Sequence, residues 1–123
     1  MPTRRPTASS KSASYALWDV VVVPFPYTDR ATQQRRPALV VSKPALDQDH
    51  SLTWLVMITS SANRGWVGDV AVTDQAKAGL PAPSIIRPTK IATVDTALIL
   101  GRLGSVGAVD RTAVLKTIKR YAL

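Results

Sequence analysis

The chain has no cysteine and no glutamate, and its only histidine is His50. Without cysteine there is no disulfide framework, no thiol nucleophile and no thiolate metal site. One histidine excludes a two-histidine acid–base mechanism and most histidine-based metal sites. The acidic residues are all aspartates, at 19, 29, 47, 49, 69, 74, 95 and 110. Only Asp47 and Asp49 lie close together, in a polar stretch, whereas a carboxylate metal site needs ligands converging from several elements. No metal and no cofactor is expected. Neither GxxxxGK[ST] nor GxGxxG occurs, so the chain carries no glycine-rich phosphate loop of those kinds. No apolar run approaches the ~18 residues of a membrane span. The basic N-terminus lacks the apolar core of a signal peptide, so export is not expected and a cytoplasmic location is.

The 123 residues suit one domain with a genuine core, and 46% hydrophobic against 20% charged residues is a globular balance. The charge is one-sided: 16 Lys and Arg against 8 Asp, a net +8 and a pI near 10.5. A small basic domain suits a polyanion, most often nucleic acid. A solubilising surface, or a basic face for an acidic protein partner, would give the same balance.

Residues 1–14 are rich in Pro, Ser, Thr, Arg and Lys, and are predicted to form a disordered basic tail, because they hold too little apolar surface to offset the entropy of ordering. Residues 15–123 are predicted to form the folded domain. Val20–Phe25 reads as a buried strand that Pro24 and Pro26 end or bulge. Pro37–Ser42 and Leu52–Thr59 read as two more strands. Between them Lys43–His50 has room for a short helical turn, and Ser60–Gly68 is a loop. Asp69–Thr73 is a short fourth strand and Thr73–Leu80 a helical turn stopped by Gly79. Ser84–Arg87 and Lys90–Val94 follow as strands broken at Pro88. The period then changes: Asp110 is a predicted N-cap, and Val114, Leu115, Ile118, Tyr121 and Ala122 recur at helical spacing. Trp54, inside a strand, is expected in the core. Short strands followed by one helix predict a mainly β (α+β) fold, a small twisted sheet or barrel capped by the helix.

What remains for chemistry is arginine, lysine, hydroxyl groups and backbone amides. That set can cleave RNA, whose 2′-OH is a built-in nucleophile, if the protein aligns it and stabilises the crowded transition state. Arg36 stands where a polar loop becomes a buried strand, with Pro37 stiffening the backbone behind it. Its guanidinium offers a bidentate fork to phosphate oxygens; Arg35 and Arg36 could equally flank the strand as edge charges. Thr59 closes a strand, where a hydroxyl can bond a phosphate oxygen or merely form a turn. The loop after it carries Ser60, Ser61, Asn63, Arg64 and Trp66, side chains that bond and stack with unstacked bases. An ordinary surface loop with Trp66 folded onto the core is the alternative.

In order and spacing these pieces resemble the PemK-like branch of the MazF/PemK toxin endoribonucleases, over roughly residues 17–122. The matching segments are Asp19-Val-Val-Val-Val-Pro-Phe-Pro-Tyr-Thr-Asp29, Arg35-Arg-Pro-Ala-Leu-Val-Val-Ser42 and Met57-Ile-Thr-Ser60. Ala78-Gly-Leu-Pro-Ala-Pro-Ser84, Arg87-Pro-Thr-Lys-Ile-Ala-Thr-Val-Asp95 and Leu103-Gly before the last helix complete the match. The resemblance implies an SH3-like (CcdB/PemK-like) barrel with a C-terminal helix, usually a homodimer. It implies a toxin of a type II toxin–antitoxin pair that cuts single-stranded RNA such as mRNA without a metal, leaving 2′,3′-cyclic phosphate and 5′-hydroxyl ends. An antitoxin protein, often acidic, would cover the RNA groove. The family's catalytic arginine and threonine fall on Arg36 and Thr59, and RNA contacts are expected from Arg35, Ser60, Ser61, Asn63, Arg64, Trp66, Asp29 and Lys90.

Two departures stand out. Trp18 occupies a position where the family usually has glycine before Asp19. The loop before Arg36, where many members carry a glutamate, offers only Asp29. A gyrase-binding module resembling CcdB, or a nucleic-acid or protein adaptor, would use the same barrel without cleaving anything.

Overall fold

Valine- and isoleucine-rich runs of strand length become six strands. The computed structural model describes residues 14–25 and 34–122. In chain order come β1 (Asp19–Pro24), β2 (Arg35–Val40), α1 (Pro44–His50), β3 (Leu52–Ser60), a 3-10 turn (Ser61–Asn63), β4 (Val70–Ala71) and α2 (Gln75–Ala78). They are followed by β5 (Ser84–Asp95), a second 3-10 turn (Thr96–Leu98), β6 (Gly101–Ser105) and α3 (Ala108–Ala122). The strands form one sheet in the order β4-β5-β3-β2-β1-β6, antiparallel at every pairing.

The pleat sends successive side chains to opposite faces, and here both faces are apolar. Val20, Leu39, Val56, Ile58 and Ile86 pack on one face with Val114 of α3. Val21, Val23, Ala38, Val40, Leu55, Val94 and Ile99 pack on the other. A sheet that buries both faces within a short chain must curl, and the result is the mainly β half-barrel with a C-terminal helix that the pattern predicts. Each wholly buried Leu or Ile contributes about 1.5–3 kcal/mol, so the sheet and α3 dominate stability. By contrast α1 buries no residue and rests on local signals: proline in its first turn and Ser51 in the left-handed region (φ 58°) at its end.

Several expectations need correction. Pro88 does not break a strand. β5 runs through it, because the register against β3 slips between Val56, opposite Ile91, and Met57, opposite Arg87. Residues 88–90 form the bulge, where a missing N–H donor costs nothing. Asp110 is not the N-cap: α3 begins two residues earlier, and the Asp110 carboxylate, 1% exposed, accepts from the Thr73 amide at 3.1 Å. The buried stripe of α3 is accordingly Asp110, Val114 and Thr117, leaving Leu115 and Tyr121 exposed. Trp54 is not core but 46% exposed. The fourth strand shrinks to Val70–Ala71. β6, with two glycines and no apolar alternation, has no strand signature; Gly104 is there because a Cβ would lie 2.3 Å from the Lys77 carbonyl oxygen of α2. The expected basic tail, but for exposed Ser14, and Asp29 lie outside the described residues.

Trp18 holds the left-handed conformation (φ 78°) that glycine adopts readily. Its amide donates to the Val40 carbonyl (2.9 Å), its carbonyl accepts from the Val106 amide (3.3 Å), and its side chain packs against the core beneath α3. Left-handed backbone costs an L-residue about 1–2 kcal/mol, which the half-buried indole offsets. Trp18→Gly removes the strain with the packing, whereas Trp18→Ala removes only the packing. In urea denaturation both variants should be less stable than wild type, with Ala below Gly by about 1 kcal/mol; equal stabilities would show that the backbone is not strained.

Candidate functional site

β2 and β3 pair in a register that sets Ala38 opposite Met57 and Leu39 opposite Val56. Continued toward the start of β2, that register sets Arg36 opposite Thr59. The two side chains singled out from distant segments are thus cross-strand neighbours, and they line one open cleft of about 280 Å³ with Pro37, Ile58, Ser60, Asn63 and the Leu80–Ser84 segment. Two prolines, Pro81 and Pro83, stiffen that far wall.

Each polar group in the cleft is held. The Arg36 guanidinium lies 4.9 Å from the centroid of the Phe25 ring. This cation–ring contact helps hold the guanidinium in place at the cleft. The Thr59 hydroxyl, on a residue 9% exposed, accepts a 3.0 Å hydrogen bond from Asn63 Nδ2. That bond leaves its own proton free to donate. The Ser60 hydroxyl accepts from the Ala62 amide (3.2 Å) and starts the 3-10 turn that carries Asn63. A cation, a hydroxyl donor and an amide facing one small cleft are suited to a phosphate group.

The loop bearing Asn63 has almost no buried side chain, so something else must hold it. Arg87 does so from β5. Only 6% exposed, it donates from Nε to Asp69 Oδ1 (2.9 Å) and from Nη2 to Asp69 Oδ2 (3.0 Å) and the Asn63 carbonyl (2.8 Å). Asp69 Oδ2 also accepts from the Gly65 and Trp66 amides (3.2 and 3.1 Å). The Trp66 ring covers this clasp, its centroid 4.2 Å from Arg87 Cζ, with Lys90 Nζ at 5.5 Å. Trp66 is nevertheless 49% exposed. It neither folds into the core nor swings free.

Of the remaining expected contacts, Ser61 opens the 3-10 turn and exposed Arg64 closes it. Arg35 lies exposed on β2 opposite Pro24. These three do not line the cleft, and Trp66 with Lys90 forms a separate cluster beside it. Arg87 and Asp69 were not among the expected site residues. The available signal was a charge inside the apolar run Ile85-Ile86-Arg87-Pro88, since a buried arginine demands a partner. Among the described residues, no three His, Cys, Asp or Glu side chains are grouped to hold a metal ion, and no helix is long and apolar enough to cross a membrane.

The hydrogen bond from Arg87 holds the Asp69 carboxyl below its ordinary range; partial burial opposes this and the Trp66 and Gly65 amides reinforce it. The folded state therefore binds the proton less readily than the unfolded chain. The stabilisation is present above the ordinary carboxylate range and is lost as pH falls through the lowered value. Asp69→Asn should melt lower than wild type at neutral pH, and the gap should close below about pH 4. A gap in thermal melts that stays constant with pH would show that the carboxylate charge is not what holds the loop.

The chain matches the family model for the PemK-like, MazF-like toxin of type II toxin–antitoxin systems over residues 17–122. Curated proteins give no sequence match. Among solved structures it resembles MazF from Deinococcus radiodurans at 20% identity and a TM-score of 0.69, over 87% of this chain and 94% of that one. A MazE–MazF structure from the same organism gives 18% identity and a TM-score of 0.70, over 87% and 93%. A mycobacterial endoribonuclease in complex with its cognate antitoxin gives 17% and 0.69, again over 87% and 93%. At such identities the structures show a shared fold, while the family match spans nearly all the described residues. The chain belongs to the PemK-like, MazF-like toxin family of type II toxin–antitoxin systems.

Proposed function

We propose that the protein is a metal-independent endoribonuclease that cuts single-stranded RNA in the cleft between Arg36 and Thr59. The observation that carries this reading is the convergence of those side chains from separate strands, with Asn63 orienting the Thr59 hydroxyl. In the proposed reaction the substrate's 2′-oxygen attacks the adjacent phosphorus. The O2′–P bond forms, the P–O5′ bond breaks, and the products are a 2′,3′-cyclic phosphate and a 5′-hydroxyl, the 2′ proton balancing the one gained by O5′. Arg36 would stabilise the crowded phosphorane and deliver a proton toward O5′, and Thr59 would donate to a phosphate oxygen. Both act by charge and placement, in keeping with a chain lacking cysteine and glutamate and holding one histidine.

Trp66 and Lys90 offer a stacking face and a cation for flanking nucleotides; Arg35, Ser61 and Arg64 would meet the strand outside the cleft, and Ser60 and Asn63 within it. Asp29 belongs to the same proposed set. The partners in this reading are mRNA in the cytoplasm, a second copy of the chain, and an antitoxin whose acidic segment meets the basic surface. The solved relatives captured with MazE or a cognate antitoxin support that pairing.

The test is incubation of the purified protein with a long single-stranded RNA in EDTA, with fragment ends mapped. Discrete cuts with 5′-hydroxyl ends are expected, and Arg36→Ala should slow them by about a hundred- to a thousand-fold without lowering the melting temperature. Cleavage surviving in that variant would remove Arg36 from the mechanism. No cleavage by folded wild type would end the ribonuclease reading.

A further inference from the structure

The loop that supplies Asn63 to the cleft also walls a second, larger cavity. Val67, Gly68, Asp69 and Val70 face Ala113, Lys116, Thr117 and Arg120 across a groove of about 510 Å³. The α3 residues lie at i, i+3, i+4 and i+7, a single stripe along the helix. The floor is rigid: the Thr117 hydroxyl donates to the Gly68 carbonyl (3.0 Å), and a Cβ on Gly68 would lie 2.8 Å from Thr117 Cγ2.

The charge in this groove is uncompensated. Its only carboxylate is Asp69, whose oxygens are already taken by Arg87 and two loop amides. Among the described residues neither Lys116 nor Arg120 is in an ion pair, and both are exposed. Aromatic groups flank them: Tyr121, 57% exposed, has Arg120 Cζ 5.5 Å from its ring centroid, and Trp66 with Lys90 stands at the start of the same loop. Cations lining a groove, with half-exposed aromatic rings next to it in the chain, suit a single strand: phosphates meet the charges and bases stack on what the rings leave exposed. An acidic peptide would use the charges but has no need of the rings.

We infer that the groove between α3 and the Trp66 loop binds the phosphate backbone of single-stranded RNA, extending the path of a strand held in the Arg36–Thr59 cleft. In the chain Trp66 falls between Asn63, which lines the cleft, and Val67, which lines the groove. The inference rests on the cleft being the RNA-cutting site. It adds that nucleotides well outside the cut raise affinity through Lys116 and Arg120 without taking part in chemistry.

The experiment compares wild type with Lys116→Gln/Arg120→Gln, and with a control pair of equal charge loss on other elements, Lys43→Gln/Lys77→Gln. The probes are fluorescent 2′-O-methyl oligouridylates, which cannot be cut, of about 5 and about 20 nucleotides. The groove variant should bind the long probe roughly ten-fold more weakly, with the salt slope smaller by about 1.4, or about 0.7 for each phosphate no longer neutralised. The short probe and the melting temperature should not change, and the control pair should keep wild-type affinity for both probes. Equal weakening by the control pair would overturn the groove in favour of a diffuse field. Unchanged long-probe binding would overturn it too; if poly-glutamate binding then falls in the groove variant, the groove serves an acidic protein segment. Failure of wild type to bind either probe would instead overturn the ribonuclease reading and this inference with it.

Discussion

A buried guanidinium tolerates few arrangements, and the ion pair of Arg87 with Asp69 is the constraint on which the site depends. Arg87 stands in β5 at the edge of the bulge, among residues that exclude water. Removing one partner from such a pair strands the charge that remains. The loop it clasps has little else to hold it, since most of its side chains are exposed. One side chain thereby decides where the Asn63 backbone sits, and Asn63 in turn orients the Thr59 hydroxyl. The same clasp places Trp66 over the guanidinium, on the loop that runs from Asn63 of one cavity to Val67 of the other.

Rigidity enters the cleft from two other directions. Arg36 is fixed along its strand and across it: Pro37 restrains the backbone, β1 brings Val23 opposite, and Phe25 just beyond β1 lies under the guanidinium. The Leu80–Ser84 wall has two prolines, and its Pro83 carbonyl accepts from the Ser61 amide at 3.1 Å. Loops at strand ends are ordinarily the mobile part of a small barrel. Here stacking, proline and a buried ion pair each remove freedom from a different wall, and pre-organised donors are worth most where charge develops.

The sheet was legible because its valine and isoleucine runs declare strands whatever their surroundings, and the places of Arg36 and Thr59 near strand ends were legible because each borders such a run. What escaped depended on contacts between distant segments. Pro88 reads locally as a stop, and only a register slip against β3 admits it inside a strand. Asp110 reads as a cap because nothing local shows that Thr73 will take its carboxylate. Trp54 reads as core although its face meets only the open groove that it lines with Trp18 and Leu115. β6 has no signature of its own, since Gly104 answers to α2 across the fold. The family resemblance supplied the pairing of Arg36 with Thr59, but it did not disclose the clasp that orients the threonine.

The positive character of the surface is also a consequence of where the aspartates go. Asp69 is clasped by Arg87, and Asp110 is buried against the Thr73 amide. Asp19, 7% exposed, bonds the Ala16 amide and Arg102, and Asp74 caps α2 through the Lys77 amide. Half of the eight acidic residues are therefore committed to holding backbone or arginine in place. Apart from the Asp19 pair with exposed Arg102, they serve interior or boundary groups rather than the cations that face solvent. A net charge of +8 spread evenly over a surface would be weak at any one point, because charges more than about 8–10 Å apart are screened at physiological salt. Committing the carboxylates to structure leaves exposed cations without an ion pair among the described residues, Lys90 on β5 and Lys116 and Arg120 on α3 among them, and these are the charges that a polyanion would meet.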